Sequence, residues 1–301
     1  MKTYLIPLGL LAATAALAQH EHHAPPAVSA AAPAATQAAR PTARLWTIQP
    51  LLLPGRAARG ERASALLRPQ GIAAQTVTVF AAEGPAERLQ VEYPLAPEGA
   101  RIAPATPKVG NYHWVVAREE SAEAVRVAST AWYFGNPGDS PKELLKLPKH
   151  ELEIVPDPLP REHGSYRESE KWRFLVRFNG QPLAGQPVTL ETEFGSRSTV
   201  LTDAAGIATV LFPRDFKPAE KKAGGGEHEG HSPRRAAFVL STTTEANGRR
   251  YLTAFNYTYG QDGDRNRSLG WGAAFGLIGM LAATPLLRRR KPTASGEHRD
   301  A

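Results

Sequence analysis

The chain has 301 residues, of which 42% are hydrophobic and 22% are charged, and it contains no cysteine. This length allows about two domains of ~100–150 residues each, and the composition excludes a wholly disordered chain and a polytopic membrane protein. The lack of cysteine excludes disulfides, thiolate metal sites and a cysteine nucleophile. The net charge is +7, but most of the basic excess lies at the two ends of the chain, so we expect no nucleic-acid partner.

The start of the chain has the pattern of a secretory signal peptide. Lys2 supplies the positive charge, an apolar stretch follows it, and Ala16-Leu17-Ala18 forms a small-x-small cleavage pattern. We therefore predict a signal peptide over residues 1–18. Residues 19–43 carry histidines at their start and are then rich in Ala and Pro with hardly any bulky apolar side chains, which predicts a disordered tether.

The body of the chain predicts an all-β fold. Short runs of β-branched and aromatic residues, bounded by Gly or Pro, are typical of strands. These runs are residues 44–53, 75–81, 88–95, 111–117, 124–134, 152–155, 172–178, 188–193, 198–201, 206–212, 237–243 and 250–257. One helical turn is expected at 143–147. A break rich in Gly and Pro at 135–141 then predicts two Ig-like antiparallel β-sandwich domains, over residues 44–147 and 148–260.

An uncharged stretch near the end of the chain predicts a single transmembrane helix over residues 268–287. A helix of this length covers ~30 Å, the thickness of a bilayer core. The basic cluster that follows predicts a cytoplasmic tail over 288–301, and residues 261–267 form a juxtamembrane linker. We expect a cell-envelope protein anchored in the inner membrane with its body in the periplasm. A cleaved C-terminal sorting signal is the alternative for this segment.

Two sequence motifs carry a family resemblance. The run FNGQPLAGQPV at residues 178–188, followed by TDAAG at 202–206, resembles the turns of bacterial Ig-like and transthyretin-like modules. Together with LPKHELEIVP at 147–156 and a His-bearing loop, the chain resembles the periplasmic component family of cobalt and nickel ABC uptake systems, best over residues 145–260. The resemblance implies a β-sandwich that handles nickel or cobalt and has inner-membrane metal transporter components as partners.

Histidines in two short clusters are the candidate metal ligands. The first cluster contributes His20, His22 and His23, directly after the predicted cleavage point. The second lies in a flexible loop at residues 217–235 and contributes Glu227, His228, Glu229 and His231. Neutral imidazole suits Ni, Co, Cu(II) and Zn, and carboxylates can complete the shell. Nickel or cobalt is favoured, and copper or zinc is possible. The alternative is that these polar segments carry histidine only because they are solvated.

No motif of a catalytic site occurs in the sequence, including G-x-S-x-G, H-E-x-x-H, a P-loop and G-x-G-x-x-G. We therefore expect no enzyme, no catalytic or cofactor-binding residues and no small-molecule substrate. His113 lies in a strand and is expected to be a paired histidine on a sheet face rather than a ligand. The first hypothesis is a membrane-anchored periplasmic protein that binds or buffers a divalent transition metal and assists its uptake. The alternative is an Ig-like structural or interaction module of the cell envelope whose edge strands dock a partner.

Overall fold

The structure is a computed structural model that describes residues 46–55, 64–106, 112–135, 141–161, 164–217, 234–262 and 269–287. Within these ranges, runs rich in apolar residues form strands. The strands are β1 Leu51–Pro54, β2 Ala65–Gln70, β3 Thr76–Ala81, β4 Gln90–Pro94, β5 Ala100–Ile102, β6 Tyr112–Glu120, β7 Ala124–Tyr133, β8 Leu152–Pro156, β9 Tyr166–Arg167, β10 Lys171–Phe178, β11 Gln181–Pro182, β12 Pro187–Thr192, β13 Arg197–Leu201, β14 Ile207–Leu211, β15 Arg235–Ala246 and β16 Arg249–Gly260. The helices are α1 Lys142–Lys146, α2 Leu269–Leu287 and a 3₁₀ turn at Ala86–Arg88.

These strands form three sheets. The largest has nine strands, in the order β13-β12-β15-β16-β7-β6-β3-β4, with β9 also pairing β16. A three-stranded sheet has the order β1-β2-β5, and in a four-stranded sheet β10 pairs with β8, β11 and β14. Most pairs are antiparallel, but β16 runs parallel to both β7 and β9.

The nine-stranded sheet is covered on both faces, and β6 shows this most clearly. Trp114 and Val116 belong to the large core shared with β8, β10 and β14, whereas Val115 and Ala117 belong to a second core shared with β2 and β5. Because successive side chains of a strand point to opposite faces, the apolar run in β6 fills both cores. A near-continuous apolar run is typical of a strand that is buried on both faces.

The expectation of an all-β fold is confirmed, and the predicted strands agree with the observed ones within a few residues at most ends. The predicted helical turn is confirmed as α1. A division of the body between residues 147 and 148 stays a prediction. In the nine-stranded sheet, the parallel pair β7–β16 joins the segment before this point to the segment after it.

Strand β10 shows one difference from its predicted pattern. Phe174 and Val176 are buried on the inner face and Arg173 is exposed on the outer face, as the alternation predicts. Arg177 also lies on the outer face, but only 5% of it is exposed. The reason is that its guanidinium donates hydrogen bonds to the carbonyl oxygens of Lys146 and Leu147 at the end of α1, which covers this end of the strand.

Helix α2 contains no charged residue, and its apolar side chains are distributed around the whole helix. Within the described residues, no helix meets the combined length and apolarity of a membrane span. The predicted signal peptide, the tether over 19–43, most of the linker over 261–267 and the tail over 288–301 lie outside the described residues.

Candidate functional site

A cleft opens in the nine-stranded sheet where β7 and β16 move apart. The two strands pair in register from Arg250 and Ala124 as far as Phe255 and Ser129. Just beyond this point the Thr130 hydroxyl donates a 2.8 Å hydrogen bond to the carbonyl oxygen of Asn256. A side-chain donor therefore replaces the backbone N–H donor of the strand pair at this position. The next strand beside β16 is β9, whose pairing begins only at Tyr259. Between these two points β16 has no neighbouring strand on this side among the described residues.

The backbone of β16 presents a donor to this cleft. The N–H of Arg250 donates to Glu123 of the β7 side, and the carbonyl oxygens of Asn256 and Gly260 accept hydrogen bonds from the same side. Alternate residues of a strand direct their backbone groups to the same neighbour. The N–H of Thr258 therefore faces the cleft. Thr258 is half-buried, and its backbone donor is directed to an acceptor on the cleft side.

The opposite wall of the cleft is formed by the end of β7. The carbonyl oxygen of Glu123 faces β16, so the same alternation directs the backbone groups of Ala131 and Tyr133 toward the cleft. The cavity has a volume of about 260 Å³ and is lined largely by apolar and aromatic side chains. Ligand pockets are usually larger, at about 300–1,000 Å³, so the space suits one or two side chains of a peptide better than a whole small molecule. Its lining residues are Leu52, Leu53, Pro54, Leu67, Thr130, Ala131, Trp132, Tyr133, Ala237, Asn256, Tyr257 and Thr258.

The side chain of Asn256 holds an extended segment over this cleft. Its carbonyl oxygen accepts a 2.8 Å hydrogen bond from the N–H of Leu52, and its amide nitrogen donates a 2.8 Å hydrogen bond to the carbonyl oxygen of the same residue. Asn256 is 6% exposed and Leu52 is 1% exposed. A primary amide thus reproduces both hydrogen bonds of a strand pair, and β1 forms the roof of the cleft.

The predicted metal ligands are not brought together by any described contact, because they lie outside the described residues: His20, His22, His23, Glu227, His228, Glu229 and His231. Within the described part of the chain, no group of three or more His, Asp or Glu side chains is arranged to hold a metal ion. The metal assignment stays a prediction.

His113 is a buried residue of a sheet face, as expected. It is 1% exposed, and its Nε2 accepts a 2.9 Å hydrogen bond from the N–H of Ala105. Its ring also packs edge-on against Phe134, with ring centroids 4.8 Å apart. This histidine therefore fixes a loop against β6.

The LPKHELEIVP motif forms a buried polar cluster at the start of β8. Glu153 is 1% exposed, and its carboxylate accepts a 2.6 Å hydrogen bond from Nε of Arg177 and a 3.1 Å hydrogen bond from the N–H of Lys149. Burial lowers the pKa of Lys149 to about 8, and its Nζ lies 5.2 Å from the centre of the Trp114 ring. The motif thus has a structural role, because it joins α1 to β8 and β10.

Both ring nitrogens of His150, in the same motif, are buried, and the ring is neutral. Neither ring nitrogen makes a hydrogen bond of normal geometry with any described residue. Burial lowers the pKa of His150 to about 3, and the positive charges of Lys149 and Arg118 act in the same direction. The negative charge of Glu151 and the Leu152 backbone oppose this shift more weakly. The Arg118 guanidinium donates two hydrogen bonds to Glu151, at 2.6 and 2.8 Å, and lowers the pKa of that carboxyl to about 2.

The residues of the cleft were not singled out from the sequence. The one available signal is Asn256, an amide in the middle of a strand between Phe255 and Tyr257. A buried polar side chain needs hydrogen-bond partners, so its position predicts a second segment beside the strand. The identity of that segment, Leu52, follows only from the fold.

Comparison with known proteins gives little further information. No family model matches the chain, and no curated protein matches it. Among solved structures, the chain is similar to a Ca²⁺-stabilised adhesin that helps an Antarctic bacterium reach out and bind ice, at 13% sequence identity and a TM-score of 0.24. The similarity covers 71% of this chain and 49% of the adhesin chain, so the chain spans about half the length of that structure.

Proposed function

We propose that this protein is a non-enzymatic interaction module of the cell envelope, and that the cleft between β7 and β16 binds an extended segment of a partner protein. The observation that carries the proposal is the inward-facing N–H of Thr258 in a cleft whose side walls are both strand edges. Extended peptides bind such edges through backbone hydrogen bonds, while pockets for alternate side chains give specificity.

The occupant is an extended peptide with an apolar central residue. Asn256 already binds the backbone of an extended segment at this place, through both groups of Leu52. A peptide carbonyl would accept the hydrogen bond from Thr258, and an apolar side chain would fill the space beside Trp132 and Tyr257. The cleft residues carry no charge, so a charged central side chain would be desolvated without a partner.

Calorimetric titration of the full chain with acetyl-Thr-Val-Thr-Leu-Thr-Val-Thr-amide tests this function. The matched control peptide is N-methylated at the backbone of its central Leu, which removes a donor but keeps the side chains. We expect the unmodified peptide to bind at least tenfold more tightly than the control, since one net hydrogen bond is worth about 1 kcal/mol and a buried unpaired carbonyl costs about 1–3 kcal/mol more. Equal affinities for the two peptides would contradict recognition through the backbone.

A pair of protein variants tests the location of binding. Leu53 is half-buried and lines the cleft, so Leu53→Trp should fill the space and abolish peptide binding. Leu201, at the end of the edge strand β13, is 65% exposed and does not line the cleft. Leu201→Trp should therefore leave the affinity unchanged. Loss of binding in both variants, or in neither, would place the peptide elsewhere.

Metal handling is a second candidate function, supported by the two histidine clusters of the sequence. We propose labile sites for Ni²⁺ or Co²⁺, with Cu²⁺ or Zn²⁺ as possible alternatives, formed by His20, His22 and His23 and by His228 and His231 with Glu227 and Glu229. Calorimetric titration of the full chain with each metal tests this. Replacement of all five histidines by Gln should abolish binding, and a His150→Gln control should retain it. Unchanged binding after the fivefold replacement would contradict these sites.

The envelope location is part of the proposal and rests on the sequence at the two ends. The signal-peptide pattern over 1–18 and the uncharged segment over 268–287 favour a periplasmic body and a single membrane anchor near inner-membrane transporter components. The turn motifs at 178–188 and 202–206 favour Ig-like sandwich segments in that body. A reporter fused after Ala301 should be cytoplasmic, and one inserted within residues 24–42 should be external. The reverse orientation of either reporter would contradict the anchor.

A further inference from the structure

Two adjoining clefts meet at Trp172, at the start of β10. One, of about 480 Å³, is lined by Asp157, Pro158, Glu170, Lys171, Trp172 and Arg173. The other, of about 430 Å³, shares Pro158, Glu170 and Trp172 and extends to Pro160, Arg161 and Arg167. Both volumes fall within the range of about 300–1,000 Å³ that is usual for ligand sites. The shared residues make Trp172 the centre of this surface, which we call the Trp172 cleft.

The indole of Trp172 is held in a fixed orientation with part of its surface exposed. Its Nε1–H donates a 3.0 Å hydrogen bond to Oε2 of Glu170. The ring of Tyr166 contacts it at a centroid distance of 4.8 Å and an interplanar angle of 75°. A contact of this geometry occupies at most one face of the indole, and Trp172 is only half-buried. An aromatic ring that remains partly exposed beside prolines offers a flat apolar platform to a ligand.

The charged groups around this platform favour a ligand that carries both hydroxyl groups and a negative charge. Arg173 forms a 3.1 Å ion pair with Asp157. In contrast, the exposed side chains of Arg167 and Lys171 form no ion pair with any described residue. They are available as donors to an anion. The carboxylate of Glu170 is acceptor-only when ionised, and one of its oxygens retains capacity for a hydroxyl donor.

We propose that the Trp172 cleft binds an acidic saccharide, meaning a sugar whose ring carries a carboxylate. The apolar face of a sugar ring stacks on the indole and its hydroxyl groups donate to Glu170. The carboxylates of successive sugar rings accept hydrogen bonds from Arg167 in one cleft and from Lys171 in the other. A phosphate backbone fits less well, because its phosphate oxygens are acceptors and offer no donor to the carboxylate of Glu170. This site is independent of the peptide cleft between β7 and β16, since the two clefts share no lining residue.

Calorimetric titration of the full chain with trigalacturonic acid tests the proposal, with neutral galactotriose as the matched probe. We expect binding of the acidic sugar to be at least tenfold tighter than binding of the neutral one, and to weaken as salt is added, because exposed charges are screened. The double variant Arg167→Gln/Lys171→Gln should bind the acidic sugar about tenfold more weakly and lose this preference. Absence of binding by the wild type, or equal affinity for both sugars, would overturn the proposal.

Two single variants separate this site from general charge attraction. Trp172→Phe preserves an aromatic core contact but reduces the platform, so it should weaken binding about threefold. Arg250→Gln is the control, because it removes the same charge from an exposed residue outside the cleft. Arg167 pairs with Gly260 of β16, and Arg250 lies ten residues earlier in that strand, ~33 Å away. It should leave the affinity unchanged. A full effect of Arg250→Gln, or no effect of Trp172→Phe, would overturn the proposed site.

Discussion

The buried neutral ring of His150 predicts a specific loss of stability in mild acid. In an unfolded chain the ring has its ordinary pKa of 6.5, whereas burial lowers the pKa in the folded protein to about 3. Below pH 6.5 the unfolded state therefore binds a proton that the folded state does not, and the free energy of unfolding decreases as the pH falls toward 3. Within this window the free energy of unfolding falls by about 1.4 kcal/mol for each unit by which the pH is lowered. Between pH 7.5 and 5.0 the loss from this one group is about 2 kcal/mol.

Urea denaturation of the full chain at pH 7.5 and 5.0, compared with His150→Gln, measures this contribution. The substitution removes the titrating group, so the variant should lose about 2 kcal/mol less than the wild type over this interval. Other histidines contribute equally to both proteins. Glu151 contributes little here, because the ordinary pKa of its carboxyl is 4.5 and its stabilising effect is lost only at lower pH. Equal pH-dependent losses in the two proteins would refute the burial of a neutral His150.

Three further substitutions test other contacts by urea denaturation. Arg177→Met leaves the buried carboxylate of Glu153 without its cation and should lower the free energy of unfolding by about 3–5 kcal/mol. The double variant Arg177→Met/Glu153→Leu should recover much of this loss. No recovery would contradict the ion pair. Gly206→Ala should lower the free energy of unfolding by more than about 2 kcal/mol, because the residue has φ +74° and a Cβ would lie 2.8 Å from a backbone oxygen. Gly185→Ala is the control: the residue has φ +67° but no atom within 4 Å, so the loss should be only about 1 kcal/mol. Asn256→Ala removes both hydrogen bonds to β1 and should cost about 2–3 kcal/mol, and a change within 0.5 kcal/mol would contradict the pinning of β1.

The strands were predictable where local sequence determines them. At residues 172–178 the alternation of apolar and polar side chains gives the correct faces. The TDAAG run forms a tight turn, in which the Asp203 carboxylate accepts hydrogen bonds from the N–H groups of Ala205 and Ile207. This turn does not close a hairpin, because β13 pairs with β12 whereas β14 pairs with β10 in a different sheet. Strands β2 and β5 were not predicted. β2 contains Pro69 and β5 has only three residues, so neither has a clear strand pattern of its own. Both are stabilised by packing against the larger sheet.

The cleft could not be predicted from the sequence, because it depends on which strands pair. Trp132 and Tyr133 appear simply as strand residues in β7, and Tyr257 appears so in β16. Parallel pairing between two strands more than a hundred residues apart leaves no local signal. The burial of Arg177 was also unpredictable, since an arginine on the outer face of a strand is ordinarily solvated and only the position of α1 covers it.

Hydrogen exchange at the Thr258 amide tests the central claim of a peptide-binding cleft most directly. The full chain, labelled with ¹⁵N, is compared with and without saturating acetyl-Thr-Val-Thr-Leu-Thr-Val-Thr-amide. The amide of Arg250 serves as the internal control, because it already donates a 2.9 Å hydrogen bond to Glu123. We predict that the peptide slows exchange at Thr258 at least tenfold and leaves Arg250 unchanged. Unchanged exchange at Thr258 under saturating peptide, or protection only at the edge strands β4 and β13, would contradict the proposed function.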